Sequence, residues 1–179
     1  MTTRDFTTTI LVEQPPNEVF KAINNVRGWW SEEIEGPTKK LHDVFKYHFE
    51  DIHRCQLKLI EVVPDQKVVW QVMDNYFKPG IFGDASHKLP VKAISGDAEW
   101  VNTTIHFEIS EKDGKTQIRF THKGLVPEYE CFEICENGWN HYVRESLQGL
   151  ITTGKGQPNS TGTPMTSDEE QIRSSSHKG

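Results

Sequence analysis

Between Phe6 and Lys123 the chain repeatedly alternates apolar and polar residues, and one long amphipathic pattern follows. Six stretches have the period of two that is typical of β-strands: "FTTTILVE", "VFKYHFED", "CQLKLIEVVP", "KVVWQVMD", "EWVNTTIHFEISE" and "TQIRFTHKG". Short turns, such as Pro64-Asp65-Gln66 and "KDGK", join neighbouring stretches, so the sheet is predicted to be antiparallel. Because the alternation leaves one face polar, the other face needs a cover.

The cover is predicted to be the helix in "CENGWNHYVRESLQGLITTGKG", residues 135–156. Its apolar positions follow the i, i+3, i+4, i+7 spacing of a buried helix face. Two shorter helices are predicted after the first strand, in "PPNEVFKAINN" and "VRGWWSEEIEG". The expected fold is therefore α+β, with a curved antiparallel sheet of about six strands gripping the long C-terminal helix.

The chain of 179 residues suits one domain, predicted over residues 1–156, followed by a segment of different composition. Residues 157–179 contain Met165 and Ile172 as their aliphatic residues and have no aromatic residue. Such a segment buries too little apolar surface to offset its ordering entropy, so we expect a flexible polar tail. A tail docked on the domain is the alternative. Residues 75–97 are predicted to form a long loop, which in a compact domain is typical of a functional or a disordered segment.

The formal net charge of −6, without a basic stripe, argues against a nucleic-acid partner. No apolar run is long enough to span a membrane, and the N-terminus has no signal-peptide core. An odd number of cysteines, three, favours a reducing cytoplasmic location over a disulfide framework. Cys131, Cys135 and His141 form a weak metal pattern without a recognisable fourth ligand, so we expect packing residues there and no metal or cofactor.

Four segments together resemble the SRPBCC superfamily, also called START-like or helix-grip. They are "PPNEVFKAINN", "VRGWWSE", "IEVVPDQKVVWQV", and "THKGL" followed by "GWNHYVRESLQGLITTGKGQP". Within the superfamily they are most similar to the branch homologous to the activator of the heat-shock-protein-90 ATPase. The resemblance spans roughly residues 5 to 157 and implies a cavity between the concave face of the sheet and the last helix.

The candidate ligand-binding residues are those that this fold would turn towards the cavity: Trp29, Trp30, Tyr47, Trp70, Glu99, Val101, Thr103, Ile105, Phe120, His122, Trp139 and Tyr142. Aromatic residues at these positions could equally fill the core. Glu61 also has the parity of the apolar residues on its strand, although a bulge would turn it outwards. We expect the Tyr142 hydroxyl to reach the polar end of a ligand.

Three functions remain open at this point. The first is binding of a small hydrophobic or amphipathic molecule, lipid or polyketide-like, without chemistry. The second is a protein-interaction module that contacts a chaperone, as the activator does. The third is a cyclase- or dehydratase-like enzyme, for which His122, Glu61 or Tyr142 would be the acid or base; catalytic motifs are absent from the sequence, so an enzyme is disfavoured and no catalytic residue is assigned. A homodimer through sheet edges or helices is compatible with each.

Overall fold

The computed structural model describes residues 5–77, 101–124, 132–160, 163–166 and 169–170. Within them, six strands form one antiparallel sheet in the order β1-β6-β5-β4-β3-β2. The strands are β1 (Phe6–Val12), β2 (Val44–Phe49), β3 (His53–Val63), β4 (Lys67–Phe77), β5 (Thr104–Lys112) and β6 (Lys115–Lys123). The two-residue turn between β5 and β6 places Asp113 and Gly114 at positive φ (53° and 79°), as a tight hairpin of matching twist requires.

Strand alternation sorts the side chains as the sequence predicts. On β2, Phe45, Tyr47 and Phe49 are buried and Lys46 is exposed; on β6, Ile118, Phe120 and His122 are buried and Arg119 is exposed. The buried sets of neighbouring strands meet on one face because the strands pair in antiparallel register. This face forms the floor of the core.

Two short helices and one long helical segment cover that floor. α1 (Pro16–Asn24) starts with a proline, whose missing N–H is not needed at a helix start, and buries Val19 and Ile23. α2 (Val26–Trp29) follows directly. The C-terminal segment comprises α3 (Phe132–Trp139), a π-helical stretch (Asn140–Leu147) and α4 (Gln148–Thr153). The helix-grip arrangement inferred from the sequence is confirmed, but the π-helical stretch was not predicted. No helix among the described residues is long and apolar enough to cross a membrane.

The orientation of Glu61, which the sequence left open, is outward: the β3–β4 register shifts between Leu59 and Glu61, and the exposed Glu61 carboxylate lies 3.4 Å from Lys67 Nζ. Two local predictions differ from the structure. Residues 75–77 belong to β4 rather than to the loop. β5 begins only at Thr104 because Asn102 has a positive φ of 67°. The remainder of the predicted loop, together with Glu99, lies outside the described residues.

The segment after Gly156 is predicted to be a flexible tail, whereas three of its described residues pack on the domain. Asn159 is fully buried, Glu169 is 8% exposed, and Met165 packs against the core. The physical reason is that Asn159 and Glu169 find buried hydrogen-bond partners, which composition alone cannot reveal.

Candidate functional site

Aromatic rings fill the space between the sheet and the covering helices. Trp30 stacks on Tyr47 with ring centroids 4.1 Å apart and contacts Trp139 at 5.0 Å. Trp70 of β4 contacts Trp30 at 5.9 Å and Trp29 at 6.2 Å. Each such pair stabilises the fold by about 0.5–1.5 kcal/mol beyond its area burial. The predicted ligand-binding aromatics are thus brought together in one layer, where in this structure they contact one another.

One polar atom inside this layer is conspicuous. The indole Nε1–H of Trp70 is buried and has no hydrogen-bond partner among the described residues. Trp29, by comparison, donates its Nε1–H to the Ile23 carbonyl at 3.1 Å. Leaving a buried donor unpaired costs about 1–3 kcal/mol, so the interior at Trp70 retains a capacity for one acceptor atom.

His122 lies at the centre of a second polar feature. Its Nδ1 accepts a hydrogen bond from Trp139 Nε1 at 3.1 Å, so the proton resides on Nε2, which lies 2.8 Å from Thr103 Oγ1. His122 is fully buried, and burial, with a smaller contribution from His106, lowers its pKa to about 3. A neutral imidazole engaged at both nitrogens positions Trp139 and is poorly placed to exchange protons with a substrate.

A third polar feature, which we call the tyrosine cluster, consists of Tyr47, Tyr142, Asn159 and Glu169. Tyr142 donates its hydroxyl to Glu169 Oε2 at 2.5 Å. Asn159 Nδ2 donates to the hydroxyls of Tyr142 and Tyr47 at 2.7 Å and 3.0 Å and lies 3.5 Å from Glu169 Oε2. All four residues are buried. Asn159 Oδ1 has no hydrogen-bond partner among the described residues, so the cluster retains an unused acceptor.

Three parts of the chain build the tyrosine cluster. Tyr47 has the inward parity of β2, and Tyr142 lies on the π-helical stretch, a conformation that is frequent at functional sites. Asn159 is held by its backbone, since its N–H donates to the Trp30 carbonyl at 3.0 Å and its carbonyl accepts from Glu32 N at 2.9 Å.

Ser146 fixes the path of the chain towards Asn159. The Ser146 hydroxyl donates to the Trp29 carbonyl at 2.6 Å and accepts from Gln157 N at 2.6 Å. Gly156 passes so close to Gly28 that an added Cβ would lie 2.1 Å from the Gly28 carbonyl oxygen. The segment therefore enters the core along a closely packed path beside Gly28 and Trp29.

Burial sets the electrostatics of the tyrosine cluster. It raises the pKa of Tyr47 and of Tyr142 well above the ordinary value for a phenol, and neighbouring acidic groups add to the effect. Burial also raises the pKa of Glu169, although hydrogen bonds from Met165 N, Tyr142 and Asn159 oppose the change. Both tyrosines are therefore neutral and keep their O–H protons, and the proton of Tyr142 is donated to Glu169 Oε2.

Two open clefts adjoin this region. One, of about 570 Å³, is lined by Tyr47 and by polar side chains of β2, β3 and β4. The other, of about 730 Å³, is lined by residues of the last helical segment, including His141 and Arg144, and by Met165 and Thr166. Met165 and Thr166 belong to the C-terminal segment, so its docking forms part of the second cleft.

The predicted site residues fall into four groups. Eight lie in the buried core: Trp29, Trp30, Tyr47, Trp70, Ile105, Phe120, Trp139 and Tyr142. Thr103 and His122 are buried partners of each other, and Val101 is half-buried. Glu99 lies outside the described residues. The sequence interpretation missed Asn159 and Glu169, for which no local pattern gives a signal. Within the described residues, no group of three His, Cys, Asp or Glu side chains is arranged to hold a metal ion.

Known proteins share the sequence pattern and the fold of this chain. A family model described as activator of Hsp90 ATPase homolog 1-like protein matches residues 13–152. The solution structure of the Aha1 dimer from Colwellia psychrerythraea has a TM-score of 0.63 and 20% identity, covering 86% of this chain and 99% of that chain.

Two crystal structures show the same fold. DynU16, a protein in the dynemicin biosynthetic locus, has a TM-score of 0.57 and 15% identity over 85% of this chain and 48% of its own. Protein MLL2253 from Mesorhizobium loti has a TM-score of 0.59 and 11% identity over 83% of this chain and 96% of its own. No curated protein sequence gives a significant match. The family match extends over most of the chain and agrees with the helix-grip fold, so the chain belongs to the family of activator of Hsp90 ATPase homolog 1-like proteins.

Proposed function

We propose that the chain binds a small amphipathic molecule in the helix-grip interior, with its polar end at Tyr47 and Tyr142. The observation that carries the proposal is the tyrosine cluster, in which two buried hydroxyls of the domain are directed at groups from a segment outside the matched residues 13–152. Buried hydroxyls need partners, and a ligand's polar atoms can supply them.

The surroundings of the tyrosine cluster suit the apolar part of such a ligand. Trp30 stacks on Tyr47, and the Trp139 ring lies 5.0 Å from the Trp30 ring. The apolar part of a ligand that extends away from the two hydroxyls would therefore contact aromatic ring faces. Tyrosine and tryptophan together provide a large apolar contact and a few polar groups, as ligand pockets commonly do. The Nε1–H of Trp70, which has no hydrogen-bond partner in the described part of the chain, adds a further donor in the interior.

The test is a chemical-shift titration of labelled protein with a panel of fatty acids, sterols and aromatic polyketides. We expect saturable shifts at Trp139, Tyr142 and Ile105, while the β5–β6 turn at Gly114, with open space around it, stays unchanged. Recovery of the ligand for mass spectrometry would separate binding from chemistry, and we expect it unaltered. Shifts absent across the panel, or confined to surface residues, would contradict the proposal.

A chaperone-interaction role is the second candidate, because the matching family is described as like an activator of the Hsp90 ATPase. Leu41, Val44 and Ile60 are exposed apolar residues, and backbone bonds between residues 42–43 and Leu59 bring their segments together. Apolar surface of this kind can contact a partner protein. Stimulation of a chaperone ATPase by the wild type, lost in a Leu41→Asp and Ile60→Asp double variant, would support this role; equal rates with and without the protein would refute it.

A further inference from the structure

We propose that Glu169 occupies the polar end of the ligand site and that a ligand with a carboxylate head displaces it. The inference rests on the proposed function and specifies its ligand class: an amphipathic monocarboxylic acid. It also makes the C-terminal segment an intramolecular competitor for the site.

The tyrosine cluster divides into a receptor and an occupant. Tyr47 and Tyr142 belong to the domain, and Asn159 is fixed to it by backbone hydrogen bonds with Trp30 and Glu32. Glu169 instead reaches the cluster only through its side chain among the described contacts, since its backbone N–H donates locally to Thr166 Oγ1. The carboxylate can therefore leave while the three other members stay in place.

The receptor selects a carboxylate by its hydrogen-bonding chemistry. Once Glu169 leaves, the Tyr142 O–H group loses its acceptor, and Asn159 Nδ2, which lies 3.5 Å from Glu169 Oε2, remains beside it as a second, weaker donor. An ionised carboxylate is an acceptor only, with two oxygens, and matches this set. Bonds to a charged acceptor are stronger than those to a neutral hydroxyl, so an acid should bind better than the alcohol of equal length.

The second cleft provides a route to the receptor. Its lining includes Met165 and Thr166, which lie a few residues before Glu169, and His141, which adjoins Tyr142. Met165 N donates to Glu169 Oε1 at 2.8 Å, so the segment and the carboxylate form one unit. Release of Glu169 would loosen the wall of the cleft beside Tyr142.

The experiment compares dodecanoate with dodecan-1-ol in the wild type, in Glu169→Ala and in the matched control Glu170→Ala, whose side chain is exposed. Removal of the competing carboxylate should tighten dodecanoate binding about tenfold, the change in equilibrium constant that one charge-assisted hydrogen bond provides. Glu170→Ala should bind as the wild type does. In Glu169→Ala, dodecanoate should bind more tightly than dodecan-1-ol, and an added Tyr142→Phe change should reduce that preference. Isothermal titration calorimetry gives the constants.

A second measurement follows the segment itself. In the wild type, dodecanoate should speed hydrogen exchange at the Met165 and Glu169 amides, while the Asn159 amide, bonded to the Trp30 carbonyl, stays protected. Equal dodecanoate affinity in the wild type and Glu169→Ala, with unchanged exchange, would overturn the competition but leave the proposed function standing. Equal affinity of acid and alcohol in Glu169→Ala would overturn the carboxylate assignment. Binding of neither probe to any variant would overturn the proposed function and this inference with it.

Discussion

Because His122 is buried, we predict that the free energy of unfolding falls by a calculable amount in acid. In the folded protein its pKa is lowered from 6.5 to about 3, chiefly by burial, so the folded state binds a proton much less readily than the unfolded state. Stability is therefore fully present above pH 6.5 and is lost as the pH falls towards the folded value. Between pH 7 and pH 5 the linkage amounts to about 2 kcal/mol for this one side chain.

His53 contributes in the same direction. Its Nε2 lies 2.8 Å from Asn75 Oδ1, and burial lowers its pKa to about 4 despite this hydrogen bond. It adds about 2 kcal/mol over the same pH interval, so the two histidines together remove about 4 kcal/mol from the free energy of unfolding. This is a large fraction of the stability of an ordinary domain.

The His122→Gln variant isolates the effect of the larger of the two pKa shifts. A glutamine side chain can still accept from Trp139 Nε1 and donate to Thr103 Oγ1, but it does not titrate. The variant should lose about 2 kcal/mol less than the wild type between pH 7 and pH 5. Urea denaturation at both pH values gives the two free energies, and the difference between proteins cancels the other titrating groups.

The control is His42→Asn, because His42 is exposed and asparagine tolerates its positive φ of 72°. Its free energy of unfolding at pH 7 should stay within about 0.5 kcal/mol of the wild-type value, as for an ordinary exposed substitution. Should His122→Gln lose as much stability in acid as the wild type, the burial argument would be refuted. An imidazole ¹⁵N spectrum of the wild type checks the same point without a mutation, since His122 should remain neutral at pH 5.

Two further substitutions test the contacts that hold the start of the C-terminal segment in place, and each is measured by urea denaturation. Ser146→Ala leaves the Trp29 carbonyl without its buried donor and should cost about 1–3 kcal/mol; a change near zero would contradict the assigned hydrogen bond. Gly156→Ala places a methyl group 2.1 Å from the Gly28 carbonyl and should destabilise the protein by about 1–3 kcal/mol. Gly138→Ala is its control, since an added Cβ meets no described residue within 4 Å and should stabilise the helix by about 0.4–1 kcal/mol; equal effects of the two alanines would refute the close approach.

The sequence predicts the sheet and its cover well because both depend on local periodicity. Alternation on β2 and β6 places Tyr47, Phe120 and His122 inside, and a helical spacing places Trp139 and Tyr142 against them. Each of these assignments follows from the side-chain directions of a regular strand or helix and from the burial of one of its faces. The family resemblance, carried by the same segments, is confirmed over residues 13–152.

Alternation fails where the backbone leaves its regular path. Glu61 has the right parity for the interior but is turned out by a register shift on β3. The π-helical stretch at Asn140–Leu147 likewise has no signature in residue spacing. A bulge or a π-helix inserts one residue relative to the partner strand or turn, and packing across the sheet decides where it does so.

The position of the C-terminal segment was decided by tertiary structure alone. Its composition predicts a flexible tail, and Asn159 and Glu169 are residue types that usually face water. They are buried because Tyr47 from β2 and Tyr142 from the last helical segment supply hydrogen bonds that only the folded domain brings together. The sequence by itself therefore determined which side chains form the aromatic interior, whereas the polar end of the candidate site depends on contacts between residues as far as 112 positions apart.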